Sequence, residues 1–248
     1  MAVDPITLRT AASRGAPSAA LCAATWNIHG AVGGDGRYAP TRIFDVLSEL
    51  GADVVALQEV PLQGAHSNFL VDLERATGYH VAGGPLFERR GTEFGNAVLS
   101  RRAFERVAHL DLTVHTYEPR GAVDVHIAAS AGSTLRVLAT HLGLRPGERR
   151  EQVKRLLAAV EDESPQPTTM LMGDLNEWYL WGRPLRWLHA HFREKPATPP
   201  TFPARRPVFA LDRIWISPVG CLRRLRRHAS PLARVASDHL PLIAEVVV

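Results

Sequence analysis

Eight polar residues stand at or beside the ends of apolar runs. Asn27 follows LCAATW, Glu59 follows VVALQ and His141 follows TLRVLAT, while Asp174 and Asn176 close TMLMGDLN. Asp212 sits in LDRIWIS, and Asp238 and His239 precede LPLIAEV. Carboxylates and imidazoles in such positions are costly to desolvate unless they are paired or bound to a cation. Gathered at one sheet edge, they would need a cation or a charge network to persist. Strand ends are where sites are built, and a set of carboxylates, amides and imidazoles gathered there suits a cation-holding or charge-networked site.

Taken singly, each residue also has a purely structural reading. Asn27 ahead of Gly30 is a turn former, and Glu59 is open to a surface ion pair. His141 in THL is open to a satisfied core position. Asp174 and Asn176 fit an Asx-turn, Asp212 a pair with Arg213, and SDH a cap-like turn. The combination is what carries the functional reading.

These residues need strands to hold them. The apolar pattern predicts strands over Leu21–Ile28, Asp53–Val60, Tyr79–Ala82, Asn96–Ser100, Val123–Ala128, Thr134–Thr140, Thr169–Met172, Leu211–Ile216, Leu222–His228 and Leu240–Val248. A helical period spans Thr41–Leu50 behind a Thr N-cap, ended by Gly51, and another spans Arg149–Val160. Glu177–Phe192 reads as an irregular aromatic-rich stretch, and the Pro-rich run Pro196–Pro207 as an active-site loop or surface excursion. Many strands with few long helices point to two packed sheets flanked by helices rather than a regular βα barrel.

At 248 residues, with 46% hydrophobic and 22% charged, the chain has ordinary globular composition and the size of one large two-layered core. No apolar run is long enough to cross a membrane. Residues 1–20 read as a flexible leader without a secretory h-region, and residues 21–248 as a single catalytic domain. Cys22 and Cys221 lack metal-binding or disulfide-framework spacing, which fits a reducing cytoplasm. A net charge of +4, with Arg far outnumbering Lys, favours anionic partners such as nucleic acid, acidic lipid head groups or free phosphate esters.

The motifs TWNIHG, LQEV, FGNAVLSR, ATHLG, MGDLNE, TFPARRP with LDRIWIS, and ASDHLPL run in the order seen in the endonuclease/exonuclease/phosphatase superfamily. From about Ala23 to the C-terminus the chain resembles that family, whose deoxyribonuclease I-like fold is a four-layered α-β-β-α sandwich of two packed mixed sheets. The resemblance implies a Mg²⁺-dependent phosphoesterase, with Mn²⁺ as an alternative ion. By this similarity Asn27 and Glu59 are metal ligands and Asp238 supports the metal shell. Asp174 orients and deprotonates the attacking water, and Asn176 holds that water or a phosphate oxygen. His239 faces the phosphate as a charged donor oriented by Asp212. His141 in THL is similar to deoxyribonuclease I, sphingomyelinases and inositol-polyphosphate phosphatases rather than to the apurinic-site endonucleases. Glu93 is the carboxylate expected behind His141, and Asn96 and Arg120 are expected at the substrate phosphate.

The basic, aromatic-rich character favours a phosphodiesterase acting on nucleic acid or phospholipid, as a monomer with peripheral membrane contact open to it. Trp178, Tyr179, Trp181 and Trp187 either stack on bases, dip into a lipid interface, or pack beneath a long loop. Arg223, Arg224, Arg226 and Arg227 read as a solvated strand face. The competing readings are a catalytically silent anion-, nucleic-acid- or membrane-binding module on the same fold, and chance motifs on an unrelated α/β protein. A silent module would lack Glu59, Asp174 or His239, and all three are present.

Overall fold

The computed structural model describes residues 20–64, 68–130, 133–163 and 166–248. In chain order the first half holds β1 (Ala20–Asn27), α1 (Pro40–Leu50), β2 (Val54–Gly64), α2 (Phe69–Thr77), β3 (His80–Arg89), β4 (Thr92–Ser100) and β5 (Phe104–Asp111). The second half holds β6 (Gly121–Ser130), β7 (Ser133–His141), α3 (Pro146–Glu161), β8 (Thr168–Asp174), α4 (Arg183–Phe192), β9 (Asp212–Ser217), β10 (Leu222–Arg227), α5 (Ala233–Ala236) and β11 (Leu242–Val247). The expected leader lies outside the described residues except for Ala20, which opens β1.

One sheet runs β10-β11-β1-β2-β4-β3 and the other β5-β6-β7-β8-β9. Strand alternation sorts the side chains into layers. Ala23, Val54, Ala56, Val98, Val137 and Met170 meet in the core between the sheets. The opposite faces of the same strands, through Trp26, Val55 and Leu57, bury the apolar stripe of α1 and Leu73 of α2. Leu138, Leu171 and Trp215 bury Leu156 of α3 and Leu185, Leu188 and Phe192 of α4. The result is the expected α-β-β-α sandwich.

Several predicted bounds shift for local reasons. Helix α1 starts on Pro40 rather than on a Thr cap, because proline at the first helical position gives up an N–H that has no intrahelical partner. Gly51 ends it in the left-handed conformation, φ 57°. More than half of the stretch expected to be irregular is α4, whose buried Leu185, Leu188 and Phe192 recur at helical spacing. Helices α2 and α5 and strand β5 have no counterpart among the predicted elements.

Topology puts the polar residues on one edge. Strands β1 and β2 are parallel neighbours, as are β7 and β8, so Asn27, Glu59, His141 and Asp174 lie at or near the carboxyl ends of two parallel pairs. Strands β9 and β11 run antiparallel to β8 and β1, so they begin where those end. Asp212 opens β9, and His239 lies three residues before β11. His141 and Asp174 are direct partners across β7 and β8. Gly173 permits that approach: a Cβ there would sit 1.8 Å from the Thr140 carbonyl oxygen.

Candidate active site

The edge encloses a cleft of about 330 Å³ whose walls include Asn27, Glu59, Arg120, His141, Asp174, Asn176, Asp238 and His239. Glu59 reaches it through a break in the β2–β4 register between Leu57 and Val60, where its backbone is left-handed at φ 54°. A bulge of this kind re-aims a side chain, and a non-glycine residue held at positive φ carries backbone strain.

Asn27 Nδ2 donates to Glu59 Oε1 at 2.9 Å and to Asp174 Oδ2 at 3.1 Å. Its Oδ1 accepts the His29 amide at 3.0 Å. Asp174 Oδ1 accepts the Asn176 amide at 2.9 Å, the Asx-turn that lets Asn176 adopt φ 49°. Asn176 Nδ2 donates to the Leu142 carbonyl at 2.9 Å and lies 3.0 Å from His141 Nε2. The loops after β7 and β8 are thereby tied together.

The two histidines occupy opposite electrostatic settings. His239 Nδ1 lies 2.9 Å from Asp212 Oδ2, and its Nε2 lies 3.6 Å from Asp174 Oδ2. Burial opposes its charged form, but Asp212, Asp174 and Asp238 outweigh that and lift its pKa to about 10. His239 is therefore an imidazolium at neutral pH. His141 is also buried, and burial together with Arg120 holds its pKa down to about 3. Its neighbours, the Asn176 amide and the Arg120 guanidinium at 3.2 Å, are both donors, so a neutral ring accepts from one of them only.

Residues without an assigned role in the sequence reading fix this arrangement. Thr201 Oγ1 donates to Asp212 Oδ2 at 2.5 Å, and the Phe202 ring lies 4.7 Å from that of His239. Trp26 Nε1 donates to the His239 carbonyl, and Ser237 Oγ to the Asn27 carbonyl, pinning the SDH loop to β1. Arg120 pairs with Glu118 at 2.8 Å. Thr201 and Phe202 lie in TFPARRP and Ser237 in ASDHLPL, but nothing in their spacing assigns them work, and Glu118 carries no sequence signal.

Two expected site residues stand elsewhere. Asn96 is buried on β4 and donates to the Gly121 carbonyl of β6 at 3.0 Å. It bridges the sheets behind Arg120 instead of lining the cleft. Glu93 lies on β4 opposite Gln63 and Glu88, and the ring nitrogens of His141 face Asn176 and Arg120 rather than a Glu93 carboxylate. Three residues before Asn96, Glu93 sits nearer the β3–β4 turn. Asp238 does line the cleft, half-buried, with the Ser237 hydroxyl 3.3 Å from its Oδ1.

The donor set fits a hard divalent cation. Glu59, Asp174 and Asp238 bring three carboxylates to one cleft, oxygen donors of the kind Mg²⁺ and Mn²⁺ prefer, and a turn of the Asn27 amide, whose Nδ2 now faces Glu59 and Asp174, would add its Oδ1. Atoms of Asp174, Asp212 and His239 also lie within 4.8 Å of one another. The direct Asp212–His239 hydrogen bond already uses that gap, so the ion fits better on the Asn27 and Glu59 side.

The chain is 30% identical over 251 residues to YbhP of Escherichia coli strain K12, described as uncharacterized, covering 90% of this chain and 94% of YbhP. An endonuclease/exonuclease/phosphatase from Beutenbergia cavernae superimposes with a TM-score of 0.77 at 26% identity, over 92% of this chain and 72% of that one. A mannosyl-6-phosphatase of Bacteroides thetaiotaomicron shares the fold with a TM-score of 0.73 at 19% identity, over 92% of this chain and 100% of that one. Residues 24–239 match the Endonuclease/Exonuclease/phosphatase family, and the chain belongs to it.

Proposed function

We propose that residues 21–248 form one catalytic domain, a Mg²⁺- or Mn²⁺-dependent phosphoesterase that cleaves phosphodiesters of nucleic acid or phospholipid. The observation that carries this reading is the convergence of Asn27, Glu59, Asp174, Asn176 and the His239–Asp212 pair in one cleft. Asn27 and Glu59 would hold the ion, with Asp238 beside them. The cation, when bound, offsets the charge that develops on the phosphoryl oxygens.

The protein's own groups supply the rest. Asp174 Oδ2 takes a proton from the attacking water, whose oxygen forms the new P–O bond. The ester P–O bond breaks, and its electron pair leaves on the alcohol oxygen, which is protonated from solvent. His239, charged and held in place by Asp212, donates to a phosphoryl oxygen, as does Arg120. Asn176 keeps Asp174 and His141 in register. A silent binding module has no use for the Asp212–His239 pair beneath an intact set of carboxylates.

Turnover of bis(p-nitrophenyl) phosphate and p-nitrophenyl phosphate, with Mg²⁺ and then with excess EDTA, tests the reading. We expect diester hydrolysis that stops in EDTA, and a Glu59→Gln variant that needs at least about 10-fold more Mg²⁺. Hydrolysis indifferent to EDTA would overturn it.

A further inference from the structure

The rim of the cleft is unlike the rest of the surface. Seven of the eleven exposed large hydrophobic side chains among the described residues belong to three segments around the mouth. Leu144 is 65% exposed at the end of the β7–α3 connection, where it also lines the cleft. Tyr179, Leu180 and Trp181, at 55%, 62% and 73%, follow the Asp174–Asn176 turn. Val208, 64% exposed, sits on the hairpin after Phe202.

These segments are braced rather than loose. Trp178 packs edge-on against Phe209 at 4.8 Å and Phe202 at 5.8 Å, and Phe202 in turn lies on His239. An aromatic cluster thus runs from the His239 imidazole through Phe202 to Trp178 and Phe209, and in the same segment the exposed Tyr179 and Trp181 form a separate pair with rings 5.5 Å apart. Glu177, buried against Arg149, accepts the Tyr179 amide and fixes the base of the turn.

Charge completes the pattern. Residues 178–186 and 202–209 contain Arg183, Arg186, Arg205 and Arg206, all exposed, and no Asp or Glu. Apolar exposure grouped on segments that border one cleft marks an interaction surface. Tryptophan and tyrosine favour the boundary between lipid headgroups and acyl chains, and arginine pairs with phosphate. Single-stranded nucleic acid would also use the aromatics and arginines, but Leu144, Leu180 and Val208 offer no π-face to a base. Those aliphatic side chains gain only by leaving water.

We propose that this apolar, arginine-bordered rim docks on an anionic phospholipid surface and seats the cleft at the level of the headgroups, so that a headgroup phosphodiester is the substrate. The docking stands on the rim alone, whereas the headgroup as substrate rests on the phosphoesterase reading above.

Co-sedimentation of the full chain, in EDTA to prevent turnover, with vesicles of phosphatidylcholine alone and of phosphatidylcholine mixed with phosphatidylglycerol tests the docking. Wild type is expected to partition onto the mixed vesicles and to be released by salt. A Leu180→Ser, Trp181→Ser double variant should bind them at least about 10-fold less while hydrolysing soluble bis(p-nitrophenyl) phosphate at the wild-type rate. Absence of vesicle binding, or equal binding by the variant, would overturn the proposal. So would a single-stranded oligonucleotide that needs Leu180 and Trp181 while the vesicles do not. Vesicle binding lost in the variant, with no hydrolysis by either protein, would uphold the docking and remove the phosphoesterase reading; hydrolysis without vesicle binding would do the reverse.

Discussion

His239 Nδ1 lies 2.9 Å from Asp212 Oδ2, and the same carboxylate oxygen accepts the Thr201 hydroxyl. Asp212 is fully buried and opens β9, so the carboxylate is fixed by the sheet rather than by a loop. The imidazole it orients sits on the SDH loop, which Trp26 and Ser237 hold against β1. A pair built this way sets both the direction and the charge of its histidine.

Replacing Asp212 with Asn should therefore lower kcat about 100-fold, as expected for losing a positioned and charged donor, with little change in KM. In the metal-free protein the His239 pKa, about 10 in the wild type, should fall in the variant. The sign follows from the raised value: protonated His239 stabilises the fold fully below its unfolded value near 6.5, and that contribution fades as pH rises through about 10. Imidazole NMR titration of both proteins checks this, and an unchanged His239 titration in Asp212→Asn would contradict it.

His141 should behave in the opposite way. Its folded pKa, about 3, lies below the unfolded value of 6.5, so the fold favours the neutral ring. The associated stability is present above pH 6.5 and is lost as pH falls toward 3. Between pH 7.5 and 5 in EDTA, wild type should lose about 2 kcal/mol relative to His141→Gln. Urea unfolding at the two pH values measures it; a constant difference between the proteins would contradict the neutral assignment.

Arg149 and Glu177 form a buried ion pair, with nitrogen to oxygen distances of 3.3 and 3.4 Å. Arg149 also donates to the carbonyls of Gly143 and Leu144, so one guanidinium joins the loop after His141 to the loop after Asn176. Glu177→Gln leaves a buried charge without its partner and should cost about 3 kcal/mol, with looser active-site loops and a lower kcat. Urea unfolding reads the stability; a loss below about 1 kcal/mol would show that the pair is incidental.

Strands β1, β2, β7 and β8 are legible because their apolar runs are buried on both faces, and Asn27, Glu59, His141 and Asp174 stand at or beside the ends of those runs. Asn176, Asp212, Asp238 and His239 flank the runs of β8, β9 and β11, and all of these polar residues except Asp212 line the cleft. Strand β5 escaped because it is an exposed edge strand, with charged residues at Glu105 and Arg106 masking its alternation. Helix α4 escaped because Trp187, His189 and His191 obscured a helical stripe of three buried residues. Asn96 and Glu93 were placed from their motif alone. Which way a side chain leaves a strand depends on register, and the bulges between β2 and β4 reset that register. The Arg149–Glu177 pair carries no sequence signal, since its partners sit 28 positions apart on separate elements.

Asp174, the proposed base, accepts from Asn27 and Asn176 and lies 3.6 Å from both histidines. The most direct measurement is hydrolysis of bis(p-nitrophenyl) phosphate at saturating Mg²⁺ by wild type and by Asp174→Asn, which keeps the side-chain shape. Activity should fall at least about 1,000-fold, with an unfolding midpoint close to wild type. A variant that retains activity within about threefold of wild type would remove Asp174, and with it this cleft, from the reaction.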